Sequence, residues 1–134
     1  SAEDSGALYF RGVDWGPTTK PPYSAMVAHD GLLHLAGTLG FTPGTRDLPD
    51  GIAAQTANAL AAIEANLAQA GATKRDVIAC TCYLADIGDY AAFNTAYSAV
   101  FTDNPPARTT IGVAGLPLEA RVEITCVAAR PDPE

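Results

Sequence analysis

Two charges stand out because almost nothing around them is charged. Arg108 is the only charged residue between Asp103 and Glu119, and its neighbours are Ala, Thr, Ile, Val and Gly. Glu123 lies between Val122 and Ile124 in a second apolar run. A lone guanidinium in apolar surroundings is costly unless an anion pairs with it. Two readings follow. In the structural one, Arg108 and Glu123 form a salt bridge, or Glu123 reaches solvent. In the functional one, the planar fork of Arg108 grips a substrate carboxylate. Glu123 is then a general acid/base whose pKa is raised by its apolar neighbours. Tyr23 follows Pro21-Pro22. It is either a packing aromatic or a ring held rigidly at the mouth of a pocket.

Other chemistries lack their residues. His29 and His34 have no further ligands at metal-binding spacing. Cys80-Thr81-Cys82 is not a Cys-x-x-Cys motif. Neither a Gly-x-Ser-x-Gly nucleophile motif nor a phosphate-binding glycine fingerprint is present.

The elements that must position these residues follow from periodicity and breakers. Leu8-Tyr9-Phe10 is a possible first strand. Gly16 to Pro22 is loop by its Pro and Gly content. Ser24–Ala28 and Leu32–Gly37 read as a hairpin about His29-Asp30-Gly31, with Asp-Gly as the turn signal. Thr56, Leu60, Ile63 and Leu67 fall at helical spacing, with Asp50 as candidate N-cap and Gly71 as the stop. In the strand Asp76–Leu84, Ile78, Cys80, Cys82 and Leu84 share one face. Tyr90, Phe93, Tyr97, Val100 and Phe101 form the stripe of a second helix, capped by Asp89. Pro105-Pro106 ends it, because neither ring nitrogen can donate. Arg108–Val113 is extended. In the last strand, Arg121–Ala129, Val122, Ile124, Cys126 and Ala128 face away from Arg121, Glu123, Thr125 and Val127. Helices this apolar cover one face of a sheet, an α+β layer. The other face keeps Val, Tyr and Ala, and self-association would bury it.

The chain has 134 residues, 48% hydrophobic and 17% charged, with net charge −7. That is one globular domain, residues 21–134, preceded by a segment over 1–20. The acidic balance argues against a nucleic-acid footprint. Three cysteines, two of them too close to bridge each other, predict no disulfide framework and a reducing cytoplasm. No run is long and apolar enough to cross a bilayer. Ser1-Ala2-Glu3-Asp4 does not open a signal peptide.

Pro22-Tyr23-Ser24, Ala36-Gly37-Thr38, Phe93-Asn94-Thr95-Ala96-Tyr97, Pro105-Pro106-Ala107-Arg108 and Val122-Glu123-Ile124 occur in that order. Their spacing resembles the RidA (YjgF/YER057c/UK114) family of reactive-intermediate deaminases over roughly Pro22 to Ala129. The resemblance implies a chorismate-mutase-like fold, a mixed sheet with two helices packed on one face. It also implies a homotrimer whose sheets form a central barrel, with a cleft between subunits. The implied activity is hydrolysis of 2-imino or 2-enamino acids to 2-keto acids and ammonia, with no cofactor and no metal. Arg108 matches the arginine that holds the substrate carboxylate and Glu123 the acid/base. Tyr23, Gly37, Asn94 and Thr110 match substrate-binding positions.

Three departures bear on substrate. Ala36 stands where deaminase members commonly have Ser, Thr110 where many have Cys, and Thr125 where a second Glu is frequent. They keep open a second reading, a non-catalytic small-carboxylate binder or a pathway-specific relative. A ribonuclease or translation inhibitor is the third reading, and the net charge opposes it.

Overall fold

The computed structural model describes residues 6–12 and 21–132. Ser1–Asp4 and most of the loop expected over Gly16 to Pro22 lie outside them. Seven strands form one mixed sheet: β1 (Leu8–Phe10), β2 (Met26–His29), β3 (Leu32–Leu35), β4 (Thr38–Leu39), β5 (Val77–Leu84), β6 (Ala107–Gly112) and β7 (Val122–Ala129). Two helices, α1 (Ile52–Ala68) and α2 (Tyr90–Val100), join β4 to β5 and β5 to β6. The order is β1-β2-β3-β7-β5-β6, with β4 also on β7. The β5–β6 pair is parallel and the others are antiparallel.

The β2–β3 hairpin turns through Asp30 (φ 50°) and Gly31 (φ 80°). Two successive left-handed residues match the twist of a tight hairpin, and Asp-Gly is a pair that tolerates them. The third expected strand, Leu32–Gly37, stops short, and a separate short strand follows it. β3 ends at Leu35, and β4 resumes on β7 opposite Glu123 and Ile124. The Thr125 hydroxyl bridges the gap between these pairings by donating to the Leu35 carbonyl at 2.7 Å.

α1 buries Ile52, Gln55, Thr56, Ala59, Leu60, Ile63 and Leu67. Each fully buried Leu or Ile contributes about 1.5–3 kcal/mol. Its N-cap is Gly51, with no side-chain cap, rather than the expected Asp50. Buried Gln55 supplies polar bonds instead. Its amide donates to the Pro49 carbonyl and its oxygen accepts from Arg121 N–H, both at 2.8 Å. α1 ends as expected, with Gly71 at φ 73°. A side chain at Gly40 would collide with the Gln55 backbone, so helix and strand pack through this glycine.

Asp89 precedes α2 as expected but makes no capping bond. Its carboxylate accepts from Arg121 Nε at 3.0 Å and from a terminal guanidinium nitrogen. The start of β7 is thereby tied to the start of both helices.

Two expectations about strand faces need correction. A register shift between Val77 and Ala79 turns Val77 inward and leaves Ile78 48% exposed, so Ile78 does not share the buried face of Cys80, Cys82 and Leu84. β6 is an edge strand whose alternate residues Ala107, Thr109 and Ile111 are exposed, so the segment around Arg108 is not buried. The expectation of no disulfide also fails. Cys80 and Cys126 are joined, on register partners with Cα atoms 4.2 Å apart. Spacing along the chain does not reveal a partner supplied by strand pairing.

Both helices cover one face, where Leu33, Leu60, Phe93, Val122 and Ile124 are buried. The register places Val27, His34, Thr81, Tyr83, Glu123, Thr125 and Val127 on the other. No helix among the described residues is long and apolar enough to cross a membrane.

Candidate active site

Glu123 sits on β7 beside the break between β3 and β4. A Cβ at Gly37 would run into its carboxylate, so the missing side chain is what lets the backbone approach the acid. Tyr23, Ala36, Gly37, Leu39, Phe41 and Leu118 join Glu123 around a cavity of about 610 Å³. Tyr23 precedes β2 in the chain and is 43% exposed at this cavity. It therefore lines an opening rather than packing in the core. Leu118 and Glu119 have φ of 58° and 56°. Left-handed backbone costs a non-glycine residue about 1–2 kcal/mol. This turn holds Leu118 on the cavity wall immediately before β7.

Glu123 is half-buried and makes no hydrogen bond or ion pair with a described residue. Burial raises its pKa. The pKa of Tyr23 is also raised, by burial first, with Glu123 adding to the rise and Arg46 opposing it. A carboxyl group shifted towards neutrality in a partly dry cavity is suited to exchanging protons with a bound molecule.

Arg108 is elsewhere. It is the register partner of Cys80 on the helix-covered face, whereas Glu123 pairs with Tyr83 on the open face. The two expected partners are on opposite sides of the sheet, so the structural salt bridge does not form. Arg108 stands 4.8, 5.3 and 5.7 Å from the ring centroids of Tyr97, Phe93 and Tyr90. Its Nη2 donates to the Tyr90 hydroxyl at 3.1 Å. Cation–π contacts of this kind contribute about 0.5–1 kcal/mol each where exposed. They hold the guanidinium without neutralising it.

No described carboxylate pairs with Arg108. Burial pushes the neighbouring Cys82 thiol up to about 11 and the Tyr97 hydroxyl up to about 12, so both are neutral at pH 7. Thr110 follows Arg108 on the same strand face, beside Cys82. Its hydroxyl and that of Tyr97 are buried without a hydrogen-bond partner of sound geometry. Asn94 lies one turn after Tyr90 on α2, partly exposed.

The candidate residues thus fall into two groups. Tyr23, Gly37 and Glu123 meet at the cavity. Arg108 and Thr110 meet at the α2–β6 edge, with Asn94 on the adjoining helix. Sequence reasoning missed Gln55, which fixes the start of β7, and the second role of Tyr90, which was read only as part of an apolar stripe. It also missed Arg46, a cavity residue between β4 and α1. Among the described residues no cluster of three or more His, Cys, Asp or Glu is placed to hold a metal ion.

A mixed sheet backed by two helices, with an acid-bearing cavity and a separate caged arginine, defines an α+β protein. The family model described as Endoribonuclease L-PSP matches residues 16–130. The chain is 36% identical over 118 residues to protein DfrA of Myxococcus xanthus, covering 86% of this chain and 90% of that protein. It is 36% identical over 115 residues to a 2-iminobutanoate/2-iminopropanoate deaminase of Capra hircus, covering 85% and 84%. The crystal structure of RidA from an Antarctic Psychrobacter superposes with a TM-score of 0.82 at 30% identity, over 91% of this chain and 99% of that one. The chain belongs to the RidA family.

Proposed function

We propose that the protein hydrolyses 2-imino or 2-enamino acids to 2-keto acids and ammonia, at clefts formed between copies of the chain in a chorismate-mutase-like homotrimer. The observation that carries this reading is the placement of Glu123. It is a half-buried carboxylate with a raised pKa, set against Gly37 in a cavity and lacking an ionic partner among the described residues. Relatives named as imine deaminases support the choice of substrate class.

In this mechanism Arg108 of one copy binds the substrate carboxylate by its two-pronged donor set. The electrophilic C=N carbon is thereby held over Glu123 of the next copy. Glu123 accepts a proton from water as its oxygen bonds to that carbon. That proton passes to nitrogen, and Glu123 takes the remaining hydroxyl proton of the tetrahedral intermediate as the carbonyl forms, the C–N bond breaks and ammonia leaves. Tyr23 and Gly37 shape the wall on the Glu123 side; Thr110 and Asn94 bind substrate on the Arg108 side. The Thr110 hydroxyl lies beside the Cys82 thiol on the strand face of Arg108. The open sheet face, with Val27, Tyr83, Ile111 and Val127, supplies the surface that association would bury.

The test is to generate 2-aminoacrylate and 2-iminobutanoate enzymatically and follow the keto acid. Acceleration over buffer is expected. No acceleration with any of several imines would refute the activity. A second reading, carboxylate binding without turnover, is favoured by Ala36, which brings no hydroxyl to the cavity. Thermal shifts with carboxylates but no turnover would select it.

A further inference from the structure

The proposed chemistry draws one guanidinium from a second copy, yet the Glu123 cavity contains another. Among the described residues lining it, Arg46 is the one cation. Its guanidinium stands 5.6 Å from the Phe41 ring centroid, and Phe41 also lines the cavity. The backbone beneath Arg46 is well held. Thr42 N–H donates to the Asp47 carbonyl at 2.8 Å and Thr45 N–H to the Thr42 carbonyl at 3.0 Å. The Thr45 hydroxyl donates to the Thr42 carbonyl at 2.8 Å and accepts from Asp47 N–H at 3.0 Å. Arg46 is thus presented by a closed, bonded loop.

We propose that Arg46 makes this cavity selective for imino acids carrying a second, distal carboxylate, an inference that rests on the deaminase reading above. Three observations carry it. The cavity, about 610 Å³, falls in the range that accepts drug-sized ligands. A three- or four-carbon acid leaves most of such a space empty. Ala36, Leu39, Phe41, Pro117 and Leu118 leave a distal anion one cationic partner there. Arg46 is itself exposed, and an ion pair near water is weak. It therefore suits discrimination between substrates better than the obligatory grip assigned to caged Arg108. A dicarboxylic imine spans the cleft, with its α-carboxylate on Arg108 of one copy and its distal carboxylate on Arg46 of the other. Tyr23 and Arg46 both line the cavity, and the positive charge of Arg46 opposes the rise in the Tyr23 pKa.

The experiment compares kcat/KM for 2-iminoglutarate and 2-iminobutanoate, each generated in situ by an amino-acid oxidase, in the wild type, Arg46→Gln and Arg46→Lys. Calorimetric binding of 2-oxoglutarate and 2-oxobutyrate gives a readout independent of turnover. The wild type is expected to favour the dicarboxylate by up to about fivefold, the size of one exposed ionic contact. Arg46→Gln should remove most of that preference in both readouts, and Arg46→Lys should keep part of it. Absence of a preference, or a preference unmoved by Arg46→Gln, overturns the proposal. Equal loss of both substrates in Arg46→Gln also overturns it, by making Arg46 the primary carboxylate grip. If no imine is turned over but 2-oxoglutarate binding requires Arg46, the deaminase reading fails and the dicarboxylate site stands.

Discussion

The surroundings of Glu123 and of Arg108 are built by different means. The acid is positioned by backbone: a split strand, a glycine that admits the carboxylate, and a left-handed turn at Leu118. The cation is positioned by side chains, with three rings and one tyrosine hydroxyl around it on an edge strand. The first group is partly dry and shifts its carboxyl towards neutrality. The second holds its cation opposed by no described carboxylate. Each half is prearranged, and neither carries out the proposed reaction alone. In the proposed reading, the site is complete in chain composition and incomplete in one copy of the chain.

The largest effects should come from removing either half. Arg108→Ala and Glu123→Gln should each lower kcat/KM for imine hydrolysis by about a hundredfold or more, the scale of a lost charged contact or general base. A near-normal rate in Arg108→Ala would reduce the aromatic cage to a packing device. Next comes Gly37→Ala, whose methyl group displaces the Glu123 carboxylate. Its kcat should fall about tenfold or more while far-UV circular dichroism stays native. A smaller effect is expected of Tyr90→Phe, which removes the hydroxyl bonded to Arg108 but keeps the ring. KM should rise several-fold with kcat little changed, the size of one hydrogen bond, about 1 kcal/mol.

The smallest prediction concerns stability and pH. The folded-state pKa of Glu123 is raised, so its contribution is fully present below the unfolded pKa and is lost as pH rises through the folded one. At pH 7 the buried charge weakens the fold, and Glu123→Gln should raise Tm there. The gain should vanish below the ordinary carboxylate range. The activity profile should show the opposite slope, rising with pH as Glu123 ionises to act as a base.

Much of this was legible in the residues. The alternation in β7 placed Glu123 opposite the buried series Val122, Ile124, Cys126 and Ala128, and the structure agrees. α1 and α2 were plain from their spacing. β6 offered no such parity. Arg108 and Thr110 alternate with Thr109 and Ile111, so neither set is clearly polar or apolar, and the face of Arg108 emerged only from its pairing with β5. The Cys80–Cys126 link, the bulge at Val77 and the Gln55 bridge all depend on register or on contacts distant in the chain. Local pattern does not encode them. Asp50 and Asp89 are favourable caps by residue type. Asp50 lies outside the N-cap position of α1, and Asp89 occupies that of α2 without a capping bond, its carboxylate engaged by Arg121.

The most direct test mixes two inactive chains. Arg108→Ala and Glu123→Gln are unfolded together, refolded as a mixture, and assayed for keto-acid formation. If Arg108 and Glu123 act across copies, about a quarter of the clefts in randomly mixed trimers regain both groups, and activity should return to about that fraction of wild type. A mixture that refolds into mixed assemblies yet stays as inactive as its parents would contradict the account.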